Sequence, residues 1–154
     1  MAKEIERKFL VTSSAYRADA VSVETISQGY VSRRPSGTVR VRLKGDRGFI
    51  TLKGVTCSAT RSEWEYAVPA ADARAMLDEL CEGAVIAKTR YRVPGGDGLV
   101  WEIDEFHSPA SIASLVVAEI ELPAEDTPFA RPAWLGEEVT GRPEYYNSNL
   151  GAQV

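Results

Sequence analysis

The sequence predicts a mainly β domain of the α+β class, an antiparallel barrel of eight strands with a few helices packed outside. Three observations carry this expectation. Period-two alternation of charged and apolar residues recurs along the chain. Turn-forming residues separate the alternating runs. The charged faces are segregated by sign, whereas a solvated sheet face usually mixes Thr, Ser, Lys, Glu and Gln. A single open sheet with helices on one side also satisfies the alternation. Segregation by sign favours closure with the polar faces turned inward, and a barrel of about eight strands leaves room for one small ligand.

Taken in order, the first strand runs from Met1 to Val11 and sets Glu4, Glu6 and Lys8 against Ile5, Arg7 and Phe9. Ile26 to Arg34 carries Gln28, Tyr30 and Ser32 on one face and stops at the turn Pro35-Ser36-Gly37. Thr38 to Lys44 sets Arg40, Arg42 and Lys44 against Val39, Val41 and Leu43. A turn over Gly45-Asp46-Arg47-Gly48 leads into Phe49 to Lys53, where Thr51 and Lys53 oppose Ile50 and Leu52. Arg61 to Val68 sets Glu63 and Glu65 against Ser62, Trp64 and Tyr66. Val85 to Val93 carries Lys88, Arg90 and Arg92, and Pro94-Gly95-Gly96-Asp97-Gly98 reads as a loop. Leu99 to Phe106 then sets Glu102 and Asp104 against Trp101 and Ile103, and Leu115 to Leu122 sets Glu119 and Glu121 against Ala118, Ile120 and Leu122.

Helical spacing is confined to a few places. Ala71 to Cys81 brings Ala73, Met76, Leu77 and Leu80 onto one face, with Gly83 as a stop. Ser13 to Ala20 and Ala124 to Ala130 are weaker helix candidates, and Glu144 to Leu150 reads as a short one. Trp64 and Trp101 are expected to pack beneath these helices.

Composition narrows the function. The chain has 154 residues, one ordinary domain taken as 1–154, with 18 Lys plus Arg against 22 Asp plus Glu. A net charge of -4 argues against a nucleic-acid binder. No apolar run approaches the roughly 18 residues of a membrane span, and the charged N-terminus lacks a signal-peptide core. Cys57 and Cys81 form no CxxC pair, so a cytoplasmic location is expected. His107 reads as a loop residue rather than a base, and Gly95-Gly96-Asp97-Gly98 lacks P-loop spacing.

The charged faces point to a ligand. Like charges at i and i+2 sit roughly 6–7 Å apart on a strand and repel unless an opposite charge intervenes. Acidic pairs of this kind are Glu4 with Glu6, Glu63 with Glu65, Glu102 with Asp104, and Glu119 with Glu121. Clustered carboxylates suit hard divalent cations, and clustered guanidinium and ammonium groups suit phosphates. A site needing both suits a metal-bound polyphosphate.

Several motifs fall in a familiar order. Glu4-Ile5-Glu6-Arg7-Lys8 matches ExExK, and VRVRLKG at 39–45, TLKG at 51–54, EWEY at 63–66 and KTRY at 88–91 follow it. WEIDEF at 101–106, VAEIEL at 117–122 and WLGEEVT at 134–140 complete the series. From Lys3 to about Leu150 the chain resembles the CYTH superfamily, the triphosphate tunnel metalloenzymes, and within it the short bacterial inorganic triphosphatases. The resemblance implies a closed barrel forming a charged tunnel that binds a triphosphate substrate with Mg2+ or Mn2+. It implies that Glu4, Glu6 and Glu121 hold a first metal, while Asp104 and Glu119 place a second metal or the attacking water. Lys8, Arg40, Arg42, Lys53, Lys88 and Arg90 fall on its phosphate-binding positions, and Asp104, Glu119 and Lys88 are the catalytic candidates. Glu63 and Glu65 form a further inward acidic pair, Tyr30 on the face of Gln28 and Ser32 either meets substrate or water in the tunnel or fills the barrel, and related short sequences carry a lysine near Tyr146, within Tyr145-Tyr146-Asn147 here.

The activity implied is metal-dependent hydrolysis of inorganic triphosphate to pyrophosphate and phosphate. Two alternatives stay open. One keeps the fold and changes the chemistry to class IV adenylyl cyclase or to nucleoside or thiamine triphosphate hydrolysis. The other is a non-catalytic polyphosphate-binding module, against which the paired acids argue. An apolar barrel exterior is compatible with a homodimer.

Overall fold

The computed structural model describes residues 2–150, with residues 2, 3, 147 and 148 described by backbone alone. Met1, at the head of the first expected strand, lies outside the described residues. Alternation becomes pairing over β1 (Ala2–Val11), β2 (Ser22–Arg34), β3 (Gly37–Lys44), β4 (Arg47–Lys53) and β5 (Thr60–Val68). After α1 (Ala70–Glu79) come β6 (Glu82–Gly96), β7 (Leu99–Ser108), β8 (Val116–Glu121) and β9 (Leu135–Glu138). The sheet order is β5-β4-β3-β2-β6-β7-β8-β1-β9, and β5 also pairs with β1, closing eight strands into an antiparallel barrel.

All eight expected strands are present, and β9 is an addition. β1 explains it. Its first half pairs with β5 through Ala2–Ile5, and beyond the end of β5 the same edge is taken up by β9 at Phe9 and Val11. The four-residue β9 therefore covers an edge that would otherwise stand open.

Two hairpins are set by local chemistry. Gly45, at φ +60°, opens the two-residue turn that pairs Lys44 with Arg47. Asp97 and Gly98 both have positive φ, as a type I′ turn needs, so Asp-Gly joins β6 to β7. The stretch expected as a loop is therefore mostly strand. Pro94, Gly95 and Gly96 belong to β6, with a register shift between Pro94 and Gly96 that accommodates the proline.

Helix content is lower than expected. Residues 15–19 and 143–145 are single 3-10 turns, Asn147–Leu150 forms one helical turn, and no helix forms over 124–130. α1 packs on β3 and β4, where its Ala73 sits so close that a Cβ on Gly48 would lie 2.7 Å from the alanine Cβ. Over β1, β7 and β8 the barrel exterior is covered by mostly irregular chain. Phe9, Trp101, Ile103, Ala118 and Ile120 from β1, β7 and β8 form a buried cluster, capped by Tyr16 and Trp134 with Phe129 packed against it. Trp101 meets Phe9, Phe129 and Trp134 edge-on at 5.5–5.8 Å between ring centres. Trp101 is thus covered by aromatic rings rather than by a helix, whereas Trp64 is 37% exposed and uncovered.

A second apolar cluster lies within the barrel. Ile86, Phe106 and Val117 share the inward faces of β6, β7 and β8, and they pack with Ile112 and with Leu150 from the last helical turn. The charged section of the interior rests on this apolar base.

Candidate active site

The interior encloses a cavity of about 550 Å3 whose wall is formed largely by charged side chains. Its acidic side follows from register. Glu6 is the direct cross-strand partner of Glu121, and Lys8 that of Glu119, so the carboxylates of β1 and β8 meet on one inward face. Lys53 reaches across from β4 and places its Nζ 3.0 Å from both oxygens of Glu4 and 3.4 Å from Glu63. Lys8 Nζ lies 3.2 Å from Glu119 and donates to the Tyr145 carbonyl at 2.9 Å, with the Tyr146 ring 6.0 Å away.

The electrostatics of this patch are unbalanced. Burial, reinforced by Glu119 and Glu4, pushes the Glu6 carboxyl up to about 8. Burial also raises Glu4 against the pull of Lys53, and raises Glu121, which further feels Glu4. Glu119 goes the other way. Burial disfavours its charge, but Lys8 outweighs that and holds it well below the usual carboxylate range. Lys8 is likewise kept charged by Glu119 and Glu6 despite its burial.

The basic side comes from β3 and β6. Arg90 makes a two-pronged pair with Asp104, at 2.8 and 2.9 Å, and lies 3.4 Å from Glu102. Arg40 donates to Thr51 Oγ1 at 3.1 Å and, among the described residues, has only Glu65 as a charge partner, at 3.8 Å. Thr51 in turn donates to Glu65 at 2.8 Å. Arg42 binds the Gln28 amide oxygen through Nε at 2.9 Å and Nη2 at 2.7 Å. Burial together with Arg40 and Arg90 pulls Arg42 down to about 9.

Most residues expected at the site line the cavity: Glu4, Glu6, Lys8, Arg40, Arg42, Lys53, Arg90, Glu119 and Glu121, along with Tyr30, Glu63 and Glu65. Lys88 and Asp104 do not. They sit beneath the wall, 2.6 Å apart and almost wholly buried, with Lys88 over the Phe106 ring of the apolar base. Burial, with Arg90 and Arg42, pulls Lys88 down to about 7 against the attraction of Asp104. Arg90 and Lys88 overcome the burial of Asp104 and keep it ionised.

Other residues emerge only in three dimensions. Starting β2 at Ser22 rather than Ile26 brings Glu24 inward, 3.6 Å from Lys44 and 3.7 Å from Arg92. Arg61 lines the cavity, and among the described residues it has no ion pair and its buried Nε has no hydrogen-bond partner. It begins the same alternation as Glu63 and Glu65, the signal from which its inward direction is readable. Ser32, grouped by alternation with Gln28 and Tyr30, leaves that face because a bulge follows Tyr30 and pairs Ser32 with the outward Val39.

Among the described residues no three His, Cys, Asp or Glu side chains are already gathered as a metal cage, with Glu4 held by Lys53 and Glu119 by Lys8. The chemistry of the patch nevertheless fits, because a buried carboxyl pushed up to about 8 among other acids is short of a positive neighbour.

Comparison with known proteins agrees with this geometry. The CYTH domain model matches residues 2–149. An inorganic triphosphatase of Acetivibrio thermocellus is 45% identical over 150 residues, covering 97% of this chain and 94% of the relative. An inorganic triphosphatase of Nitrosomonas europaea is 33% identical over 155 residues, covering 98% of each. A crystal structure of an inorganic triphosphatase superposes with a TM-score of 0.69 at 31% identity, covering 98% of this chain and 99% of that one.

Proposed function

The chain belongs to the CYTH domain family, and from that premise we propose that it is a metal-dependent enzyme that hydrolyses inorganic triphosphate to pyrophosphate and phosphate. The observation that carries the reading is the division of one cavity between the acids of β1 and β8 and the guanidinium groups of β3 and β6. A polyphosphate needs both, since cations must grip its oxygens and carboxylates must hold the metal that accompanies it.

Glu4, Glu6, Glu119 and Glu121 would hold Mg2+ or Mn2+. A cation held there would supply screening of the phosphate oxygens and Lewis-acid activation of a water. The chain's own residues do the rest. Arg40, Arg42, Arg90, Lys8, Lys53 and Arg61 surround the cavity with N–H donors that fix the phosphates and stabilise charge as it spreads during transfer. Glu119, kept ionised by Lys8, accepts a hydrogen bond from the attacking water and orients it. Asp104 acts from behind the wall by locking Arg90, with Lys88 donating a hydrogen bond that holds the carboxylate in place. Lys88 and Asp104 are accordingly positioning residues in this reading.

The cavity wall is dominated by charge, which matches a substrate made only of phosphates. The test is phosphate release from tripolyphosphate, ATP and thiamine triphosphate, each with Mg2+, Mn2+ or a chelator. Metal-dependent release from tripolyphosphate with little from ATP is expected. Conversion of ATP to cyclic AMP and pyrophosphate, with tripolyphosphate untouched, would overturn the assignment.

A further inference from the structure

The inward arginines differ in what holds them. Arg90 has a carboxylate locked on two of its nitrogens, and Arg40 has Glu65 at 3.8 Å. Among the described residues Arg42 makes no ion pair, and it is held by an amide. Gln28 is fully buried, and its carbonyl oxygen accepts from both Nε and Nη2 of Arg42. The reverse amide orientation would set an NH2 group against two N–H donors, so the direction of the side chain is determined. Its Nε2 has no partner among the described residues. Of the five N–H donors of a guanidinium, Gln28 takes two, and three remain on a side chain that lines the cavity.

A buried arginine ordinarily finds a carboxylate, because an unpaired charge out of water is costly. A glutamate at position 28 would reach the same nitrogens and provide one. The amide orients the guanidinium equally well and cancels none of its charge. We propose that Gln28 is a positioning residue for Arg42, locking the guanidinium with a neutral acceptor so that its positive charge stays available to an anion in the cavity. This deepens the polyphosphate reading of the same site and rests on it. A purely space-filling glutamine would make any side chain of equal length equivalent there.

The experiment compares wild type with Gln28→Glu and Gln28→Met. It reads kcat and KM for tripolyphosphate with Mg2+, and the shift in unfolding midpoint caused by tripolyphosphate in a chelator. Gln28→Glu is expected to fold with a midpoint no lower than wild type, to raise KM about tenfold or more, and to lose most of the anion-induced shift. Gln28→Met keeps the length without the acceptor, frees Arg42, and is expected to lower kcat/KM about tenfold. A Gln28→Glu protein with wild-type KM and wild-type anion shift would overturn the inference. So would a Gln28→Met protein with unchanged kcat/KM, an outcome that does not depend on the glutamate variant folding. If wild type is stabilised by tripolyphosphate without hydrolysing it, and Gln28→Glu loses that stabilisation, the proposed activity fails while the role of Gln28 stands.

Discussion

Trp101 and Asp104 lie three residues apart on β7, face opposite sides of the barrel wall, and are both buried. Outside, Trp101 sits among Phe9, Phe129 and Trp134, where leaving water is favourable in itself. Inside, Asp104 leaves water only because Arg90 and Lys88 come with it, and several neighbours there are less well matched. Glu6 is pushed up to about 8 and Arg42 down to about 9, mainly by burial, so each is strained toward its neutral form. The same strands thus carry a face that holds the fold together and a face that the fold must support. Folding alone gives no reason to bury so many charges, whereas a polyanion with its cation does.

The largest expected effect lies outside. Trp101→Ala should lower the free energy of unfolding by about 3–5 kcal/mol, through lost contacts and the cavity left behind. Denaturant titration measures it, and KM of the folded fraction should stay near wild type. A large rise in KM with intact stability would erase the division between the two faces.

Asp104→Asn tests the inner face at its most structural point. It leaves Arg90 and Lys88 buried without their carboxylate, a change of about 3 kcal/mol in unfolding free energy, lessened because Lys88 is already drawn toward neutrality at about 7. Activity should fall along with stability, since Arg90 loses its anchor. An Asp104→Asn protein of wild-type stability would mean that this pair is not the floor of the site.

At the metal patch the two properties should separate. Glu121→Gln removes a carboxylate that burial and Glu4 already raise, so stability should not fall. Turnover at limiting Mg2+ should drop about tenfold, roughly 1.4 kcal/mol, and recover in part at high Mg2+. Normal turnover at low Mg2+ would remove Glu121 from the metal ligands.

The smallest effect belongs to the outer rim. Arg7 holds Glu138 at 2.6 and 2.8 Å, and this pair with Thr140 lowers the Glu138 carboxyl. A carboxyl lowered in the folded state adds stability above its unfolded value, about 4.3, and loses it as pH falls through the folded value. Glu138→Gln should therefore lower stability by under about 1 kcal/mol at pH 7 and by almost nothing near pH 3. An equal loss at both pH values would show that the ion pair is not its source.

Legibility in the sequence followed the same inside–outside division. Alternation tells which face a side chain takes, and for that reason the acids of β1 and β8 and the arginines of β3 and β6 were readable as one interior. Alternation does not tell depth. Lys88 and Asp104 obey the same period as Arg90 and Glu102, yet they pair beneath the cavity wall, with Lys88 over the Phe106 ring. Nor does it reveal partners. That Arg42 meets Gln28 depends on the register of the β2–β3 hairpin, and that Lys53 meets Glu4 depends on barrel closure, since β4 and β1 are both paired to β5. β9 carries no comparable signal, because four residues beginning Leu-Gly have little period of their own and its place is set by the free edge of β1. The bulge after Tyr30, which turns Ser32 outward, likewise has no local signature.

The central claim is that the inner charges are kept for a ligand rather than for the fold. Arg42→Met tests it most directly, since it removes a buried charge without a carboxylate partner while retaining a long side chain. Unfolding midpoint and KM for tripolyphosphate would be measured on the same preparation. The account predicts a midpoint within a few degrees of wild type and a KM raised by about tenfold or more. A sharply lowered midpoint with an unchanged KM would contradict it, and would make the charged interior a device of folding.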